Sequence, residues 1–213
     1  MSSDNRAFYD RIAHAYDLLS DSSERAAREK GEALLAVQPG QRILELGFGT
    51  GNTLIELARK VGASGEVVGI DISEGMREVA RGKLEKEGLM DRVMLTLGDA
   101  RELPFEDDQF DGAFLSFTLE LFSEDDMAKV LKEIRRVLKP GAELAVVSMA
   151  KVASGEHESL LERGYQWMHQ HFPHIVDCRP IDVKKTLEAS GFQVEKEERL
   201  EMWTMPVVAA VGR

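Results

Sequence analysis

Apolar runs of strand length alternate along this chain with segments whose apolar positions recur at helical spacing. Ile43, Leu44 and Leu46 form the first run, followed by Val67 to Ile70, Val93 to Leu97, Gly112 to Phe117 and Glu143 to Ser148. Runs of this continuous character predict strands buried on both faces. Between them, Asn52 to Lys60 carries Leu54, Ile55, Leu57 and Ala58 on one helical face, and Ser73 to Lys86 and Glu124 to Leu138 are the next predicted helices. Strand alternating with helix implies parallel pairing through right-handed crossovers. At the far end, Phe192 to Leu200 and Trp203 to Val211 are separated by Glu201 and Met202 alone. That is too short for a parallel crossover, so these two runs are expected to pair antiparallel.

The first residues follow a helical pattern as well. Phe8, Ile12, Tyr16 and Leu19 share one stripe of the segment Asn5 to Leu19, which is either a lid or a helix packed permanently on the sheet. Ser22 or Ser23 can cap a second helix running through Leu35, and Val37-Gln38-Pro39-Gly40 turns the chain into the first strand. The expected organisation is one domain over residues 1–213, with a helical segment at 1–38 and an insertion at about 150–180.

Where the first strand must turn into a helix, three glycines stand at Gly47, Gly49 and Gly51, directly after the acid Glu45 and Leu46. Glycine tolerates positive φ and lets a ligand approach the backbone, and the helix that follows points its first amides at whatever is bound. A dinucleotide fingerprint would place glycine or alanine where Asn52 stands, and a phosphate-binding P-loop would need a Lys and a Ser or Thr that are missing. A nucleoside-type ligand remains. Val67 to Asp71 ends in an acid suited to both ribose hydroxyls, and Val93 to Leu97 closes on Gly98-Asp99-Ala100.

Glu45-x-Gly47-x-Gly49-x-Gly51, Asp71, Asp99, the segment Leu103 to Asp111 and the turn Lys139-Pro140-Gly141 occur in the order and spacing of a known group. The chain resembles the class I S-adenosylmethionine-dependent methyltransferases, and within them the ubiquinone and menaquinone biosynthesis C-methyltransferases and their small-molecule and phospholipid-methylating relatives. The resemblance is carried by residues 40–150; Ala142, where the family usually has glycine, is a mild departure. It implies an α/β fold with a Rossmann-like, seven-stranded, mostly parallel sheet, helices on both faces and an antiparallel last strand. It also implies methyl transfer from S-adenosylmethionine, leaving S-adenosylhomocysteine. The cofactor contacts expected from it are Glu45, Gly47, Gly49, Gly51, Asp71, Ile72, Met76, Asp99, Ala100, Ser116 and Tyr16, with Asp99 near the adenine amino group. Met76 either meets the adenine face or fills the core. The alternatives are a nicotinamide-dependent oxidoreductase and a non-catalytic cofactor-binding module.

The acceptor leaves a weaker trace. Four of the five histidines, His157, His169, His171 and His174, fall in the insertion with Tyr165, Trp167, Met168 and Phe172, and a segment leaving a strand's carboxyl end is well placed to select substrate. If the acceptor must lose a proton, His171, His169, His14 and Glu120 are the candidate bases. His169-x-His171-x-x-His174 matches neither a helical zinc pair nor a Cys/His finger, so no metal is expected.

Composition narrows the partners. A formal net charge of −11 over 213 residues opposes attraction to a nucleic-acid backbone. The absence of a basic, apolar-cored start and of any long apolar run predicts a soluble, cytoplasmic protein without a transmembrane segment. Cys178 is the single cysteine, so no intrachain disulfide can form. The expected partner is a small-molecule or lipid-like acceptor, and the sequence is silent on oligomeric state.

Overall fold

The computed structural model describes residues 24–151, 179–202 and 205–213. Its helices and strands alternate as the periodicity predicts. Helix α1 covers residues 24–35, followed by β1 (Arg42–Leu46), α2 (Asn52–Val61), β2 (Glu66–Asp71), α3 (Glu74–Glu87) and β3 (Val93–Leu97). Then come β4 (Phe110–Ser116), a 3₁₀ turn (Leu119–Leu121), α4 (Glu124–Val137), β5 (Leu138–Met149), α5 (Val183–Ala189), β6 (Val194–Met202) and β7 (Met205–Gly212). The proposed Ser22 or Ser23 cap, the Asn5–Leu19 helix and nearly all of the insertion lie outside the described residues.

The seven strands form one sheet in the order β3-β2-β1-β4-β5-β7-β6. Pairings from β3 to β5 are parallel, whereas β7 runs antiparallel to both β5 and β6. The last strand is reversed, as expected. The connection is tighter than the sequence pattern suggests: Glu201 and Met202 belong to the ladder, opposite Pro206 and Met205. The chain order reverses between β1 and β4, so their carboxyl ends diverge into a crevice, the usual ligand position in open α/β sheets.

Both sheet faces are covered. Leu44, Leu46, Val68 and Ile70 join a buried cluster with Val130, Leu131, Ile134 and Val137 of α4 and Val183 and Leu187 of α5. On the opposite face, Ile43, Val67 and Phe114 pack with residues of α1, α2 and α3, among them Leu34, Leu57 and Leu84. Adjacent strand residues therefore serve opposite cores, which explains why the strand runs are continuously apolar. Each such side chain contributes about 1.5–3 kcal/mol on burial. Among the described residues no helix is long and apolar enough to cross a membrane.

Three elements differ from expectation. The strand expected from Glu143 begins at Leu138: Phe110 pairs with Leu138 and Gly112 with Glu143, so Lys139-Pro140-Gly141-Ala142 bulges out of a ladder that resumes beyond it. The turn is real, but it interrupts a strand instead of preceding one. Helix α5 was not expected, because its seven residues bury only Val183 and Leu187. The strand predicted from Gly112 starts at Phe110, whose neighbouring Gln109 N–H already donates to the Val137 carbonyl at 2.8 Å.

The two sheet edges are chemically unlike. Edge strand β6 presents Glu195, Lys196, Glu197 and Glu198, whereas edge strand β3 exposes Met94 at 46 % and Leu97 at 38 %.

Helix α1 reaches the sheet through a glycine. A Cβ at Gly31 would lie 2.3 Å from Val147 Cγ2 and 3.0 Å from Phe114 Cε2, whereas one on Gly82 of α3 would meet nothing within 4 Å. Opposite outcomes follow for one chemical change. Gly31→Ala is expected to lose about 1–3 kcal/mol through overpacking despite alanine's better helix propensity, and Gly82→Ala to gain about 0.5–1 kcal/mol. Urea unfolding of the two variants reads both signs.

Candidate functional site

The carboxyl ends of β1, β2 and β4, with the loop after β3, surround one pocket. The glycine turn forms its floor. Gly47 (φ +69°), Gly49 (φ +50°) and Gly51 (φ +83°) all occupy the left-handed region, but they serve different ends. At Gly47 a Cβ would lie 2.4 Å from Thr118 Oγ1, so glycine lets the β1 turn and the β4 turn touch. At Gly49 a Cβ would meet nothing within 4 Å, and the residue lines the pocket. Gly51 is not among the lining residues. It caps α2, and a Cβ there would lie 2.8 Å from that of Ala80, so its glycine permits close approach of α2 and α3.

Asp71, at the end of β2, ties the floor to the next helix. Its Oδ2 accepts the Gly49 N–H and its Oδ1 the Ser73 N–H, each at 2.9 Å. Ser73 Oγ in turn accepts the Met76 N–H at 3.1 Å, capping α3. Ile72 and Met76 line the pocket beside Asp71, and Met76 is only 2 % exposed. It is thus a pocket wall and a buried side chain at once.

Asp99 and Ala100 line the pocket from the loop after β3. Arg101 grips Asp99 with its Nη2 2.6 Å from Oδ2 and its Nε 3.0 Å from Oδ1, and reaches Asp126 on α4 at 3.0 Å. That guanidinium holds the Asp99 carboxyl below its ordinary range, so Asp99 is an ionised acceptor at neutral pH.

Glu45 is the most unusual group. It is 2 % exposed, lines the pocket, and its Oε2 has no hydrogen-bond partner among the described residues. Burial pushes its carboxyl well above the usual range, the charge of Glu32 adds to this and that of Arg28 opposes it. An unsatisfied buried acceptor costs about 1–3 kcal/mol, which a donor arriving in the pocket would recover.

Ser116 and the turn after β4 form the remaining wall with Phe117, Thr118, Leu121 and Phe122. Phe117 has φ +50°, rare for a bulky residue. Its N–H donates to the Val147 carbonyl at 2.8 Å, while Thr118 Oγ1 donates to the Ser116 carbonyl at 2.9 Å. Neither residue was anticipated, since nothing in a Phe-Thr pair signals a left-handed backbone. Phe48, Glu24 and Arg28 also line the pocket without having been singled out. Phe48 could have been, as the residue held between two of the turn glycines.

Glu120 does not line the pocket. It is fully buried, and its Oε1 accepts the Met149 N–H at 3.1 Å, joining the turn after β4 to the end of β5. Burial raises its pKa to about 7. Tyr16, His14, His169 and His171 lie outside the described residues, as does the rest of the histidine cluster.

Residues 3–178 match the model of the ubiE/COQ5 methyltransferase family. The chain is 34% identical over 151 residues to a 2-phytyl-1,4-naphtoquinone methyltransferase of Trichormus variabilis, covering 69% of this chain and 65% of that protein. To the ubiquinone/menaquinone biosynthesis C-methyltransferase UbiE of Teredinibacter turnerae it is 37% identical over 158 residues, covering 72% of this chain and 61% of the relative. The matched region thus spans a little under two thirds of these relatives' length. Among solved structures, a SAM dependent methyltransferase from Aquifex aeolicus superposes with a TM-score of 0.63 at 28% identity, covering 86% of this chain and 88% of that one. Family model, relatives and fold agree: the chain belongs to the ubiE/COQ5 methyltransferase family.

Proposed function

We propose that this chain transfers a methyl group from S-adenosylmethionine to a ring carbon of a reduced quinone-type small molecule. The observation that carries the reading is the convergence of Glu45 of β1, Asp71 at the end of β2 and Asp99 in the loop after β3 on one pocket floored by the Gly47–Gly49 turn. The residues fit the cofactor: the unsatisfied buried oxygen of Glu45 would suit a cationic amino-acid end, and the turn leaves open space at Gly49. When bound, the cofactor supplies an electrophilic methyl on a sulfonium.

The chain's own groups orient the reactants. A carboxylate accepts from several donors at once; Asp71, which accepts the Gly49 and Ser73 N–H groups, lines the pocket where ribose hydroxyls would donate to it. Asp99, ionised by Arg101, is suited to accept from the adenine amino group. Phe48, Phe117 and Phe122 supply flat apolar walls that exclude water and suit an aromatic ring. Ring carbon and methyl must be lined up, so positioning supplies most of the catalysis. The insertion that leaves the end of β5 is the proposed selector of acceptor.

Titration calorimetry with S-adenosylhomocysteine tests the donor half. Asp71→Ala is expected to weaken binding about 10- to 100-fold, the value of one or two lost charged hydrogen bonds; a folded wild type that binds nothing would falsify the reading. Incubation with methyl-labelled cofactor and demethylated naphthoquinol and benzoquinol tests the acceptor half. Label on a ring carbon supports it, while cofactor binding without label on either acceptor points to another acceptor or a binding module.

Glu120 suits a structural role better than that of a base, because it does not line the pocket and its Oε1 is bound by the Met149 N–H at the end of β5. Its folded pKa of about 7 lies above the ordinary 4.5, so the native state holds its proton more tightly than the unfolded chain. The resulting stabilisation is complete below about pH 4.5, declines as pH rises and is gone above about pH 7, roughly 3 kcal/mol in all. Relative to Glu120→Gln, which cannot ionise, the wild type should lose about 2–3 kcal/mol between pH 5 and pH 8 in urea unfolding. A difference flat with pH would remove this assignment.

A further inference from the structure

A cofactor of the kind proposed above carries an α-carboxylate as well as an α-ammonium, and the pocket treats the two charges very unequally. Glu24, Glu45, Asp71 and Asp99 all line it; among the described lining residues Arg28 alone is cationic. Left among four carboxylates, an anionic group would be repelled unless that guanidinium received it.

The placement of Arg28 is itself unusual. It stands on α1 with Glu24 and Glu32 at i±4, and this charged stripe faces inward: the three side chains are 11 %, 17 % and 4 % exposed in that order. A charged helix face is ordinarily the solvated one. Glu32 is paired with Lys60 at 2.6 Å, and Arg28 Nη1 meets Glu24 at a longer 3.4 Å. A guanidinium has five N–H donors in a planar fork, so it can hold Glu24 and a second carboxylate together. The nucleoside-facing acids, Asp71 and Asp99, stand at the β2 and β3 side of the crevice, which leaves the β1 side, where Glu45 and Arg28 lie, for the amino-acid end.

We propose that Arg28 binds the α-carboxylate of the cofactor's amino-acid end while Glu45 accepts from its α-ammonium, which makes α1 part of the cofactor site. The inference rests on the S-adenosylmethionine reading and adds the residues that grip one end of it.

The two are separated by a ligand that lacks that end. Calorimetric titration of wild type, Arg28→Met and Arg28→Lys with S-adenosylhomocysteine and with 5′-methylthioadenosine isolates the carboxylate contact. Arg28→Met is expected to lose about 10- to 100-fold in affinity for S-adenosylhomocysteine and to bind 5′-methylthioadenosine within about 2-fold of wild type, with Arg28→Lys intermediate for the first ligand. Unchanged binding of S-adenosylhomocysteine by Arg28→Met, or an equal loss for both ligands, overturns the role of Arg28 and leaves the cofactor reading standing. If the folded wild type binds neither ligand, the cofactor reading falls and the inference with it.

Discussion

The carboxylate of Asp71 is the joint on which the site's geometry depends. One oxygen receives the Gly49 amide and the other the Ser73 amide, so a single side chain locks the turn after β1 to the turn after β2. The backbone reinforces it, since the Gly47 N–H donates to the Ile70 carbonyl at 2.7 Å. These bonds hold two loops that carry no regular ladder of their own. From this joint follow the start of α3, through the Ser73 cap, and the opening of the turn at Gly49 toward the pocket.

A second consequence concerns charge. Four carboxylates share the pocket wall, and each is managed differently. Asp71 is held by amides, Asp99 by Arg101, Glu24 by Arg28, and Glu45 by burial that favours its protonated form. The site is thus anionic overall yet locally balanced, an arrangement suited to a ligand bearing positive charge and many donors.

What could be read from the sequence follows from where the physics is local. β2 and β4 were legible because burial on both faces leaves an unbroken apolar run. Asp71 and Asp99 were legible because they end such runs. The motif glycines were found together but could not be told apart, since the closeness of Ala80 to Gly51 and of Thr118 to Gly47 is tertiary. Arg28 was missed for a related reason: Glu24-x-x-x-Arg28-x-x-x-Glu32 has the spacing of an exposed salt-bridged helix face, and only the sheet packing through Gly31 turns it inward. Phe117 left no signal, because its left-handed backbone is imposed by the turn between β4 and the 3₁₀ segment.

The unlike sheet edges have a consequence of their own. On β6 the run Glu195-Lys196-Glu197-Glu198 sets polar, charge-bearing side chains along an edge that no described strand pairs, where an incoming strand would have to strip their hydration. On β3 the side chains beside the unpaired backbone include Met94 and Leu97, which offer no such resistance. Among the described residues, the two borders of the sheet therefore set unlike costs on strand addition, high along β6 and low along β3.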